Sequence, residues 1–206
     1  MKQKTSTPEK FGLIVVSAPS GAGKSTLCTQ LLKTHPDRVA LSISSTSRAP
    51  RGQESHGNEY FFYTHEEFTT QLDQQKFVEW ALVHGNYYGT SRETLENFWN
   101  QGRHVLLDID VQGAESLRKE YPGRTFTVFI APPSLEELER RLRNRGTENE
   151  EAIQKRMKNA SEEMKRKGEF DLVLVNDVYD SAYQQLEEVV FKFMDQLEGG
   201  LWQKRP

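Results

Sequence analysis

From Gly12 to Leu32 the chain runs "GLIVVSAPSGAGKSTLCTQLL". Its first five residues are a continuous apolar run, which suits a strand buried on both faces. Leu27 and Leu31 lie about one helical turn apart, so the spacing predicts a helix from Lys24 to Thr34, stopped by Pro36. Between them the pattern Gly-x-x-x-x-Gly-Lys-[Ser/Thr] is met at Gly23, Lys24 and Ser25, with Ala18 where the first glycine usually stands. The loop formed by Ala18, Pro19, Ser20, Gly21, Ala22, Gly23, Lys24, Ser25 and Thr26 can curl so that main-chain N–H groups converge on phosphate oxygens. Lys24 then supplies a mobile cation for the β and γ phosphates, and Ser25 a hydroxyl for Mg²⁺. The bland alternative, a surface turn carrying a lysine, needs neither the strand before it nor the helix after it. The stretch is therefore read as a nucleoside triphosphate site.

Outward from this loop the same rhythm recurs. "HVLLDID" (104–110), "TFTVFIA" (125–131) and "DLVLVN" (171–176) are further apolar runs, with a helix expected from Val111 to Glu120. A last helix keeps Ala182, Leu186, Val190, Phe193 and Leu197 at helical spacing. Apolar strands alternating with helices imply a doubly wound α/β fold on a parallel sheet, here of the P-loop NTPase kind. Two regions interrupt it. Residues 44–92 turn polar and aromatic around a helix opened by a Thr64/Glu67 capping box, and 134–167 hold two charged helices opened by Ser134/Glu137 and Thr147/Glu150, with Gly146 between them. The expected organisation is a core of 11–43, 93–133 and 168–198, an inserted subdomain over 44–92, a lid-like arm over 134–167, and loosely held tails at 1–10 and 199–206.

The 206 residues suffice for one compact unit, and 27 Lys+Arg against 30 Asp+Glu leave a net charge of -3, so no basic field calls for nucleic acid or an anionic membrane. A single cysteine, Cys28, fits a reducing compartment, no apolar run is long enough to span a membrane, and "MKQKTSTPEK" lacks the apolar core of a secretory signal; a cytoplasmic protein is expected. Five scattered histidines offer no zinc pattern. Association into a homo-oligomer stays open.

A phosphate cradle does not say where the phosphate goes. Asp108 is positioned to bring an acid to the metal, directly or through water, and Asp110 follows two residues on, either beside it or as the N-cap of the next helix. No Asn-Lys-x-Asp stretch of a GTPase switch is present. "SSTSRAPRGQESHGNEYFFY" (44–63) instead sets Arg48 and Arg51 among hydroxyls, which is either a clamp for a second phosphate or a solvated basic loop.

Thr46-Ser47-Arg48, Arg51, Glu54, Gly57, Tyr60 and Phe62 fall at the spacings of the guanylate kinase family. "APSGAGKS", "FVEWA", "GNYYGT", "LDIDVQG", "IAPPS", "RGTE" and "VND" follow in order, so from about Phe11 to Phe191 the chain resembles a bacterial guanylate kinase. The resemblance implies ATP and GMP as substrates and Mg²⁺ as cofactor. It implies that Arg48, Arg51, Tyr60 and Tyr88 hold the GMP phosphate, and that Ser44, Glu79, Thr90 and Asp110 read the base. Carboxylates suit the N1–H and N2–H₂ donors of guanine, and hydroxyls suit its O6. It further implies that Arg141, Arg145 and Arg156 close over ATP, with Asn176 near the adenine. Taken alone, Glu79 could face solvent on a strand, Tyr88 could be a core aromatic, and the arginines could belong to a mixed-charge helix surface. The rivals are a kinase for another nucleoside monophosphate and a non-catalytic guanylate-kinase-like binding module.

Overall fold

A computed structural model describes residues 10–83, 85–144 and 149–200. In chain order its elements are β1 (Leu13–Ser17), α1 (Lys24–Thr34), β2 (Val39–Leu41), β3 (Ser45–Thr46), β4 (Phe61–Phe62), α2 (His65–Asp73), β5 (Phe77–Val83), β6 (Asn86–Ser91) and α3 (Arg92–Asn100). There follow β7 (His104–Asp108), α4 (Val111–Glu120), β8 (Thr125–Ala131), α5 (Leu135–Asn144), α6 (Glu150–Lys165), β9 (Leu172–Val175) and α7 (Tyr179–Glu198). Arg145, the expected Gly146 stop, the Thr147 cap and the tails at 1–9 and 201–206 lie outside the described residues. Among those described, no helix is long and apolar enough to cross a membrane.

The main sheet is parallel, in the order β2-β7-β1-β8-β9. Its faces divide by the two-residue period of a strand. Ile14 and Val16 of β1 pack with α1 and α7 through Leu27, Leu31, Leu186, Val190 and Phe193, whereas Leu13 and Val15 pack with α3 and α4 through Leu95, Trp99, Ala114 and Leu117. Four strands are legible from apolar runs; the fifth, β2, is three residues long and earns its place only through pairing with β7. The strand from His104 ends at Asp108, not at Asp110, because Ile109 and Asp110 turn into α4.

Residues 45–91 supply a second, mixed sheet ordered β4-β3-β6-β5, with Glu79 following a bulge in β5. The Thr64/Glu67 capping box opens α2 as expected. Over α5, Ser134 accepts from the Glu137 N–H (3.1 Å), but the Glu137 carboxylate turns to Arg140 and Arg141 rather than closing a box. α6 begins on Asn149, whose side chain accepts from the Ala152 N–H.

Candidate active site

The phosphate loop joins the C-terminal end of β1 to α1, at the crevice of the parallel sheet. Side chains cap α2, α3, α4 and α6, from Thr64, Ser91, Asp110 and Asn149. α1 opens instead on Gly23, left-handed at φ 91°, with no side-chain cap and no acid in its first turn. Its leading N–H groups are thus left for an anion. Gly23 is required twice over, since a Cβ there would also lie 2.2 Å from Asn176 Nδ2. Asn176, 8 % exposed, donates from Nδ2 to the Ala22 carbonyl (2.8 Å), so it props the loop from behind.

Lys24 pairs with Asp108 at the end of β7. Burial pulls the lysine below its usual range, and Glu163 and Asp110 oppose the shift. Glu163, on α6, was not singled out in the sequence; the only signal was a carboxylate beside the apolar stripe Met157, Ala160 and Met164. Two further bonds tie the helical pair to the loop and to its prop: Arg156 Nη1 donates to Ser20 Oγ (2.6 Å), and Arg141 Nη1 donates to the Asn176 main-chain carbonyl (3.1 Å). Arg141 Nε also donates to Glu137 within α5 (2.8 Å). Leu138 and Leu142 of α5 lie over Gly21.

The second sheet carries the other group of residues. Thr90 Oγ1 donates to Glu79 Oε1 (2.6 Å), and Glu79 is 8 % exposed. Asp110 caps α4 through the Gly113 N–H (2.8 Å); a Cβ on Gly113 would lie 3.2 Å from Glu79 Oε2 and 3.4 Å from Asp110 Oδ1. The missing side chain lets two carboxylates share one wall. Burial, with Asp110 adding to it, pushes the Glu79 carboxyl up to about 7 despite the Thr90 hydrogen bond. Arg48 sits against Tyr60 and Phe62, 5.4 and 5.8 Å from the ring centroids, and Tyr60 in turn lies edge-on to Tyr88. Arg51 is exposed and engages Glu54 through its main-chain N–H.

Three cavities meet at Asp108. One of about 400 Å³ holds the phosphate loop with Lys24, Ser25, Asp110 and Glu163. One of about 220 Å³ holds Ser44, Tyr60, Glu79, Tyr88 and Asp110. The third, of about 260 Å³, links Ser25 to Ser44 and Tyr60 along α1. A larger groove of about 950 Å³ between α2 and α3 shares no residue with these and has neither the glycine-rich backbone nor the arginine pair. The joined cavities place a cationic, N–H-rich socket within reach of one that offers paired carboxylates and hydroxyls.

A family model described as guanylate kinase matches residues 10–193. The chain is 48 % identical over 187 residues to the guanylate kinase of Idiomarina loihiensis, covering 90 % of this chain and 89 % of that one. It is 49 % identical over 179 residues to the guanylate kinase of Escherichia coli strain K12, covering 86 % of each. Among solved structures it is similar to guanylate kinase from Anaplasma phagocytophilum, with a TM-score of 0.70 and 30 % identity over 88 % of this chain and 85 % of that one.

Proposed function

This chain belongs to the guanylate kinase family, and from that premise we infer how its residues divide the work of passing the terminal phosphoryl group of ATP to GMP. The reaction is an in-line displacement. A phosphate oxygen of GMP attacks the γ-phosphorus, the bond to the β-phosphate oxygen breaks, and ADP and GDP result. Such a transfer asks the protein for alignment and positive charge rather than covalent chemistry. The observation that carries the reading is the meeting of the donor and acceptor cavities at Asp108.

On the donor side the loop N–H groups and Lys24 hold the β and γ phosphates, exchanging the internal ion pair with Asp108 for the nucleotide. Asn176 keeps the loop in shape, and Val175, Val178 and Tyr179 beside it expose apolar surface suited to a base. Arg141 and Arg156 bring charge from the helical arm; Arg145 is assigned with them by family pattern. On the acceptor side Arg48, Arg51, Tyr60 and Tyr88 take the GMP phosphate, while Glu79 and Asp110 accept from guanine N1–H and N2–H₂. Ser44 and Thr90 supply hydroxyls. Closing of the arm and the second sheet excludes water, which would otherwise hydrolyse ATP.

Ser25 and Asp108 line the donor cavity as oxygen donors, and among the described residues no group of three or more His, Cys, Asp or Glu side chains could cage a metal unaided. So sparse a set of hard oxygens fits Mg²⁺, which keeps its waters and is held largely by nucleotide phosphates. Ser25 would hold it, with Asp108 directly or through water, and when bound it supplies positive charge on the transferring phosphates. The lone cysteine supports a cytoplasmic location.

The test is ADP release from ATP measured with GMP, AMP, UMP and dTMP in turn. Adenine would leave the two carboxylates unpaired, so GMP should exceed AMP in kcat/KM by about 10⁴-fold. Equal turnover of AMP would overturn the assignment of the base-reading residues, and absence of ADP release with every acceptor would favour a binding module.

A further inference from the structure

The spacing of Arg48 and Arg51 suggests a phosphate clamp but leaves open how two long, mobile side chains are aimed before a ligand arrives. Glu54 answers this. Arg48 Nη1 donates to Glu54 Oε2 (2.9 Å) and Nη2 donates to Oε1 (3.1 Å), a fork-to-fork pair. Nη1 also donates to the Ala49 carbonyl (2.8 Å). A guanidinium has five N–H donors, and these bonds use three of them. The two that are left, on Nε and Nη2, share the opposite edge of the plane and face an incoming phosphate together. Oε2 of the same carboxylate accepts from the Arg51 main-chain N–H (2.8 Å), and the Glu54 N–H donates back to the Arg51 carbonyl (2.9 Å). One carboxylate thus fixes the plane of one arginine and the backbone of the other.

We propose that Glu54 is a positioning residue of the GMP site, which turns one edge of Arg48 toward the acceptor phosphate and anchors Arg51 beside it. A competing role for the same contact would have the opposite sign. If Glu54 merely occupied Arg48 as a competing anion, GMP phosphate would have to displace it, and removing the charge would tighten binding. The geometry argues for positioning, because the carboxylate takes the end-on edge and leaves the side-on edge, where phosphate can still be received bidentately. Side chain 48 is only 9 % exposed and side chain 54 is 24 % exposed, so the arginine end of the pair is shielded from the solvent competition that weakens surface salt bridges.

The inference rests on the GMP-site reading above, and the experiment separates the two. Steady-state kinetics are measured for Glu54→Gln, Glu54→Asp and Arg48→Ala, with unfolding temperatures alongside. Loss of charged hydrogen bonds predicts that Glu54→Gln raises the KM for GMP about tenfold, with kcat and the KM for ATP within about twofold. Glu54→Asp keeps the charge and should return the GMP KM to within about threefold. Arg48→Ala should raise it further, about 100-fold. An unchanged or lowered GMP KM in Glu54→Gln, with Arg48→Ala still defective, overturns the positioning role and leaves the GMP site intact. A glutamine variant that only unfolds at lower temperature, or an aspartate variant as defective as glutamine, overturns it too. If Arg48→Ala leaves the GMP KM untouched, the clamp itself falls and the proposal with it.

Discussion

The phosphate loop and the acceptor cleft face each other across Asp108, yet they are made of different material. The loop is a run of consecutive residues whose donors are main-chain groups, held from outside by the Asn176 amide and by Leu138 and Leu142 over Gly21. The cleft gathers side chains from β3 to α4, and it holds itself by pairing them: Thr90 with Glu79, Arg48 with Glu54, Asp110 with the Gly113 N–H. A main-chain socket offers few side chains to remove: Lys24 is its cation, while Gly23 and Asn176 keep its shape. A side-chain socket can be taken apart one substitution at a time, and each removed partner leaves another group buried and unpaired. The donor side should therefore fail sharply at a few positions of the loop, Lys24 first, whereas the acceptor side should fail in graded steps.

The sharpest break of that contrast is Lys24→Met. It removes the only side-chain cation of the loop itself while sparing the N–H groups, so transfer should fall by about 10³-fold or more. GMP binding, followed by calorimetry, should stay within about threefold. A matching loss of GMP affinity would mean the two sockets are not separable.

Glu79→Gln probes the other side. The ordinary value for a free glutamate is 4.5 and the folded one about 7, so the native state holds the extra proton between them. Stability therefore falls as pH rises from 4.5 to 7, and above 7 the ionised carboxylate costs about 3 kcal/mol. Glutamine removes that cost. In urea melts the variant should be more stable than the parent at pH 8 and converge with it near pH 5, while its kcat/KM for GMP drops about 100-fold. GMP needs the carboxylate as acceptor, so the parent's affinity should weaken as pH drops below 7 and the variant's should not. A variant less stable at pH 8 would contradict the buried charge as the source of strain.

The same contrast explains what could be read from sequence. Phosphate loop, strand and helix are contiguous, and the boundaries of α1, α4 and β8 follow from apolar period and caps alone. The cleft is assembled by long-range pairing. β3 and β4 are two residues each and have no period to detect, and Glu79 meets Thr90 only because β5 and β6 are antiparallel neighbours. Arg48, Arg51 and Asp110 are legible as a clamp and a cap; the other members rest on the family resemblance, which names positions but not partners. Hence Glu54 is legible as part of a pattern with no role attached, and Glu163 only as a carboxylate beside an apolar stripe. Both act through contacts that no local spacing encodes. Asp110 shows the reverse case: its capping role was legible, and the structure adds the Glu79 carboxylate beside the same Gly113.

Asn176 is where the two kinds of construction touch, since it is a side chain serving a main-chain socket. Its Nδ2 satisfies the carbonyl of Ala22, a fully buried residue, and the Asn176 main-chain carbonyl, which alanine would keep, accepts from Arg141. Asn176→Ala strands the Ala22 oxygen and opens space beside Gly23. Leaving a buried acceptor unpaired costs about 1–3 kcal/mol, which for a chain of this size lowers the unfolding temperature by about 2–12 °C. A loop that loses its prop should bind ATP about fivefold more weakly while the GMP KM stays within about twofold. The size of the thermal shift discriminates between two functions for one residue. A weakened ATP KM with an unchanged unfolding temperature would move Asn176 from support of the loop to direct contact with the base, and the donor socket would then be less purely main-chain than its geometry implies.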